Sequence, residues 1–96
     1  QALATVSGDP DLFIDRARAL AMQERFEGAI SDLDVALAIR PRDPLALKLR
    51  ADAFLELRRF DEAMADVESA LDIAPNDVSV LLVRGHIREA QRLSGS

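Results

Sequence analysis

Apolar residues fall at helical spacing in two successive stretches, the first opened and the second closed by a proline. From Pro10 to Gln23, the residues Phe13, Ala17, Leu20 and Ala21 recur every three or four positions, which places them on one helix face. From Glu27 to Ile39, the set Ala29, Ile30, Leu33, Ala36 and Leu37 does the same. Asp9 before Pro10 reads as a helix start. The carboxylate accepts from free N–H groups of the first turn, and the N–H that proline lacks is not needed there. Asp43-Pro44 repeats the signal, and Pro41 stops the helix before it. The linker Glu24-Arg25-Phe26 is too short for anything but an antiparallel hairpin. The pattern predicts helices near 10–23, 27–39, 44–57, 61–73 and 77–92, with no strand and no long loop.

The same pattern repeats. Pro10–Asp43 aligned with Pro44–Asp77 gives 13 identities over 34 residues without a gap. Arg16-Ala17 falls on Arg50-Ala51, Arg25-Phe26 on Arg59-Phe60, Ala29 on Ala63, and Pro41 on Pro75. The register continues outward: Ala2-Leu3 sits 34 residues before Ala36-Leu37, and Arg84-Gly85 sits 34 after Arg50-Ala51. The expected organisation is a tail of an earlier repeat or a linker over 1–9, repeats over 10–43 and 44–77, a terminal helix over 78–93, and a frayed end over 94–96. A start at Gln1 is expected of an excised or processed piece. Small residues recur in columns, Ala17, Ala51 and Gly85 in one, Ala29 and Ala63 in another, Ala36 and Ala70 in a third. Such columns let helix axes approach at the short end of the 8–10 Å range. One helix pair of this kind cannot bury its own face, so stacking is required.

This 34-residue helix-turn-helix resembles the tetratricopeptide repeat family. The resemblance rests on Ala17, Leu20, Phe26, Ala29, Leu33, Ala36 and Pro41, and in the second copy on Ala51, Phe54, Phe60, Ala63, Val67, Ala70 and Pro75. Phe13, Leu47 and Leu81 stand where the family often has Trp, and Arg16, Arg50 and Arg84 replace a usual Leu, as in a subset of bacterial-type repeats. The resemblance implies an all-α solenoid of antiparallel helix pairs in a right-handed superhelix, about two and a half repeats and five helices. It also implies a non-catalytic module that holds a peptide or partner protein in a concave groove lined by the first helices. By the same resemblance, the groove is expected to take Asp11, Ile14, Arg18 and Met22 from the first repeat, and Leu45, Lys48, Asp52, Leu55 and Glu56 from the second. The last helix would add Ser79, Leu82, His86 and Glu89. Ile14, Leu45, Leu55 and Leu82 would be apolar anchors, with Arg18, Lys48 and His86 as polar selectors. Some members grip a C-terminal carboxylate with Lys, Asn and Arg. The matching places here hold Ile14, Arg18, Leu49, Ser79 and Val83, where only Arg18 could serve, so a clamp of that type is not expected.

Charge and composition narrow the partner. The chain is 49% hydrophobic and 30% charged, a folded composition. A net charge of −5 disfavours nucleic acid and anionic membranes, and no apolar run approaches the length of a membrane span. The absence of Cys excludes disulfides and thiolate metal sites and does not distinguish the compartments; cytoplasm is favoured, with periplasm the alternative. His86 is the only histidine, too few for a metal site, and no cofactor is expected. No serine sits in a nucleophile-elbow context and there is no phosphate-binding glycine loop, so no catalytic residue is assigned. Asp32 and Asp66 recur with the same period as the arginines. The expected pairing is Arg50 with Asp32 and Arg84 with Asp66, across neighbouring helices, with a ladder of cations for an acidic ligand as the alternative reading of Arg16, Arg50 and Arg84. Two functions follow: a peptide-binding adaptor, or an assembly piece that self-associates by stacking through its open end, where Ala2-Leu3 keep register with another repeat.

Overall fold

Residues 9–95 are described by a computed structural model. They form five helices: α1 (Pro10–Met22), α2 (Phe26–Ile39), α3 (Pro44–Glu56), α4 (Phe60–Ile73) and α5 (Val78–Gly95). The aspartates start three of them. Asp9 accepts from the Asp11 N–H, Asp43 from those of Leu45 and Ala46, and Asp77 from those of Ser79 and Val80. α5 runs to Gly95, past the expected helix end near residue 92 and into the stretch 94–96 expected to fray, and Arg92 in the last turn suits its negative pole. Ala2-Leu3, on which the self-association reading rests, lie outside the described residues.

Both hairpins turn in the same way. The Glu24 N–H donates to the Ala21 carbonyl and the Arg25 N–H to the Leu20 carbonyl. Arg58 and Arg59 repeat this with Leu55 and Phe54. This is the Schellman closure, in which one residue takes the left-handed conformation. Here Glu24 and Arg58 take it, with φ of 63° and 62°, although glycine is the usual occupant. Each turn residue is a centre of near symmetry, so positions equally spaced before and after it meet across the hairpin. Leu20 and Gly28 are one such pair, and a Cβ added to Gly28 would lie 3.3 Å from Leu20 Cδ1.

That symmetry corrects the expected ion pairs. Arg16 and Asp32 flank Glu24 at equal distance, and Arg50 and Asp66 flank Arg58, so each arginine pairs inside its own repeat. Arg16 donates from Nε and Nη2 to Asp32 at 2.8 and 2.7 Å, and Arg50 binds Asp66 with the same two distances. The link between repeats is a different bond, from Arg50 Nη1 to Asp34 at 2.8 Å. Asp66 is thereby occupied by Arg50, and Arg84 makes no ion pair among the described residues. Asp32 and Asp66 are the buried acidic residues, and no buried side-chain polar atom among the described residues lacks a partner. The Phe54 ring lies beneath both Arg50 and Arg59.

The core runs the length of the stack through the small columns. Ala17, Ala29, Ala36, Ala51, Ala63 and Ala70 are all buried, with Leu33, Val67, Val80 and Ile87 filling the space between them. α2 packs on α3 and α4 on α5, so each hairpin docks on the next. The first helices α1, α3 and α5 touch directly, whereas α2 and α4 meet at most marginally. The first helices therefore line one side of an elongated array measuring 48 × 27 × 18 Å, not a closed bundle.

Gly85 departs from its column. Ala17 and Ala51 are buried, but Gly85 is exposed and an added Cβ would meet nothing within 4 Å. No described helix packs on that side of α5, so the small residue serves no close approach there. Gly85→Ala should therefore stabilise the protein by about 1 kcal/mol through helix propensity alone. A thermal melt is expected to rise by roughly 4–8 °C, and an unchanged or lowered melt would show that something contacts this position.

Candidate functional site

The inner side formed by α1, α3 and α5 carries most of the expected groove residues. Leu45, Lys48, Asp52, Leu55 and Glu56 follow three- and four-residue spacing along α3 and share one stripe. Leu45 is 40% exposed and Leu82 58%, and Arg18, Ser79 and His86 are exposed. Leu55 is half-buried against the core, so its anchor surface is partial. Met22 is 85% exposed at the end of α1.

Three expected positions are already engaged within the fold. Ile14 is 2% exposed and belongs to the core, because an aliphatic side chain on the flank of α1 gains more from burial than from solvent. Its counterparts Lys48 and Leu82 stay accessible, so the anchor role does not extend to the first repeat. Asp11 is held by Arg40, whose Nη2 donates to it at 2.8 Å while Nε donates to Asp43 at 3.1 Å. Glu89 accepts from Arg92 one turn along α5.

Between α1, α2 and α3 lies a cleft of about 370 Å³. Leu33, Ala29 and Ala53 are among the residues of its floor, Phe26, Leu49 and Met22 stand along its walls, and Arg18, Glu24, Asp52 and Glu56 reach its rim. Arg18, Asp52 and Glu56 were expected groove residues, and the structure brings them together from two helices. Glu24, a residue of the first hairpin linker, joins them. Its left-handed backbone places it at the cleft, and nothing in residue spacing alone signals that conformation at a glutamate. Leu49, whose apolar side chain does not fit a carboxylate clamp, serves as a wall of the cleft.

Asp52 is the electrostatic centre of this region. Burial raises its carboxyl above the ordinary value of 3.8, while the positive charges of Lys48 and then His86 pull it down and Glu56 pushes it up. Lys48 lies one turn away on α3 and His86 on α5, so the field at Asp52 joins two first helices. Because the folded pKa lies above the unfolded one, Asp52 favours the folded state most when protonated. That contribution falls as pH rises from the unfolded pKa through the folded one. Asp52→Asn should therefore melt higher than the parent at pH 7, and the difference should vanish near pH 3. A parent that is the more stable at pH 7 would mean that the carboxylate is compensated.

An open stack of helix hairpins with an accessible inner face is the architecture of a protein-interaction scaffold. Residues 14–78, more than half of the chain, match the family model described as tetratricopeptide repeat. The chain belongs to the tetratricopeptide repeat family. Repeats of this family are non-catalytic scaffolds for protein–protein contacts. Among the described residues no group of three or more His, Cys, Asp or Glu is placed to hold a metal ion, and no helix is long and apolar enough to cross a membrane. No curated protein matches the chain significantly.

Proposed function

We propose that the inner face of α1, α3 and α5 binds a segment of a partner protein. Leu45, Leu82 and the free part of Leu55 serve as anchors, and Arg18, Lys48, Asp52, Glu56 and His86 as polar selectors. The observation that carries this reading is the mixed character of this one face, where the exposed Leu45 and Leu82 stand among charges that the fold does not neutralise. Arg16, Arg40, Arg50 and Arg59 are each locked to carboxylates within the fold, whereas Arg18, Lys48, Asp52 and Glu56 enter no ion pair among the described residues. Unpaired charges beside exposed leucines make a mixed surface that a partner can desolvate and neutralise at once.

Selection of peptides from a displayed random library on the purified chain tests it. The selected peptides should lose roughly tenfold or more in affinity, about 1.4 kcal/mol, for the combined change Leu82→Ala with Lys48→Ala. They should ignore Val35→Ala on α2, which is exposed but lies on a second helix. Peptides that respond to Val35 and not to Leu82 or Lys48, or a library that yields none, would refute the inner-face reading.

A further inference from the structure

We propose that the cleft between α1, α2 and α3 seats one cationic side chain, Lys or Arg, of the bound segment. The charged end lies against Glu24, Asp52 and Glu56, and the methylene stem lies along Met22 and Leu49. This rests on the inner-face reading and narrows it to a class of partner: a segment carrying a basic residue among apolar ones.

Size is the first argument. Ligand pockets span roughly 300–1,000 Å³, and this cleft, at about 370 Å³, is at the low end. That is room for a long side chain of a bound segment and too little for a helix. Apolar walls under a charged rim suit the side chains that bury a stem and keep a charged tip at the water boundary.

Charge is the second. The rim carries three carboxylates against one guanidinium, that of Arg18. No hydrogen bond or ion pair among the described residues occupies Glu24, Asp52 or Glu56, and half-buried Asp52 has only the more distant charges of Lys48 and His86 to offset its partial desolvation. A neighbouring cation would relieve that burial cost directly.

The helix ends supply the third. α1 and α3 both finish at the cleft, and neither has a basic residue in its last turn. Glu56 closes α3 and Glu24 follows α1, so both set negative charge at negative helix poles, an arrangement that works against helix stability. A cation in the cleft lies in the field of both poles and of the three rim carboxylates. The carboxylates are not grouped tightly enough to hold a metal ion, which favours an extended cation with a stem.

The test uses the 15N-labelled chain and two acetylated, amidated pentapeptides, Ala-Leu-Arg-Leu-Ala and its twin with citrulline, which keeps the shape and lacks the charge. Amide shifts are followed at millimolar peptide. The arginine peptide should shift the amides of Glu24, Ala53 and Glu56 and bind roughly tenfold more tightly than its twin. The preference should disappear in Asp52→Asn with Glu56→Gln, and weaken in Glu24→Gly, which relaxes the left-handed backbone and so retains the fold. Equal binding of both peptides at the inner face overturns the cation seat and leaves the groove reading standing. Shifts confined to other surfaces, or none, overturn the cation seat as well, and the library selection then decides the groove reading separately.

Discussion

Arg50→Ala is expected to destabilise the protein by about 3–5 kcal/mol, the range for breaking a buried pair by removing one partner. Arg50 is the central tie of the stack. Its side chain, 24% exposed, donates two bonds to Asp66 and a third to Asp34 in the preceding repeat. Removing it leaves the Asp66 carboxylate, 7% exposed, without its partner. The cost is mainly this stranded charge, because the pair itself gains little net of desolvation. Arg50→Met combined with Asp66→Leu should therefore recover most of the loss, with only the exposed Asp34 contact forfeited, worth under about 1 kcal/mol. Denaturant unfolding of the single and double variants reads this directly. A double variant as unstable as Arg50→Ala would show that the ion pair itself, and not the stranded carboxylate, sets the energy.

Leu33→Ala is the second large effect, at about 2–5 kcal/mol. Leu33 is 1% exposed, among the largest fully buried side chains, and also reaches the floor of the cleft. A domain of this size has only about 5–15 kcal/mol to lose, so the upper end of that range brings it close to unfolding at ambient temperature. Leu82→Ala on α5, at 58% exposure, should stay within about 0.5 kcal/mol of the parent while weakening peptide binding. The two leucines thus separate fold from site. Equal destabilisation by both would mean that Leu82 is packed in solution, and that the inner face is not open there.

Burial of Ile14 and the unused Gly85 show where repeat logic stops. A 34-residue register treats Ile14, Lys48 and Leu82 as equivalent, and Ala17, Ala51 and Gly85 as another equivalent set. Equivalence in register holds only where the neighbours are also equivalent. Ile14 is taken into the core while Leu82 is not, and Gly85 has open space where Ala51 has packed helix. The ion pairs teach a related lesson. Both periodic columns were visible, but a common period does not say which arginine meets which aspartate. The turn at Glu24 decides that, because positions at equal distance from it meet across the hairpin.

The number of helices, their ends to within a few residues, the pairing into hairpins and the repeat family were all written in local residue pattern. Proline, N-cap aspartate and apolar spacing act over one or two turns, and that range is contained in the chain itself. Which arginine holds which carboxylate, which inner-face residues remain free, and how Glu24 joins Asp52 and Glu56 around one cleft were decided by the packed structure alone. Those outcomes depend on the angle at which one hairpin lands on the next. That angle is set by many small burial terms acting together, and no single stretch of residues encodes it.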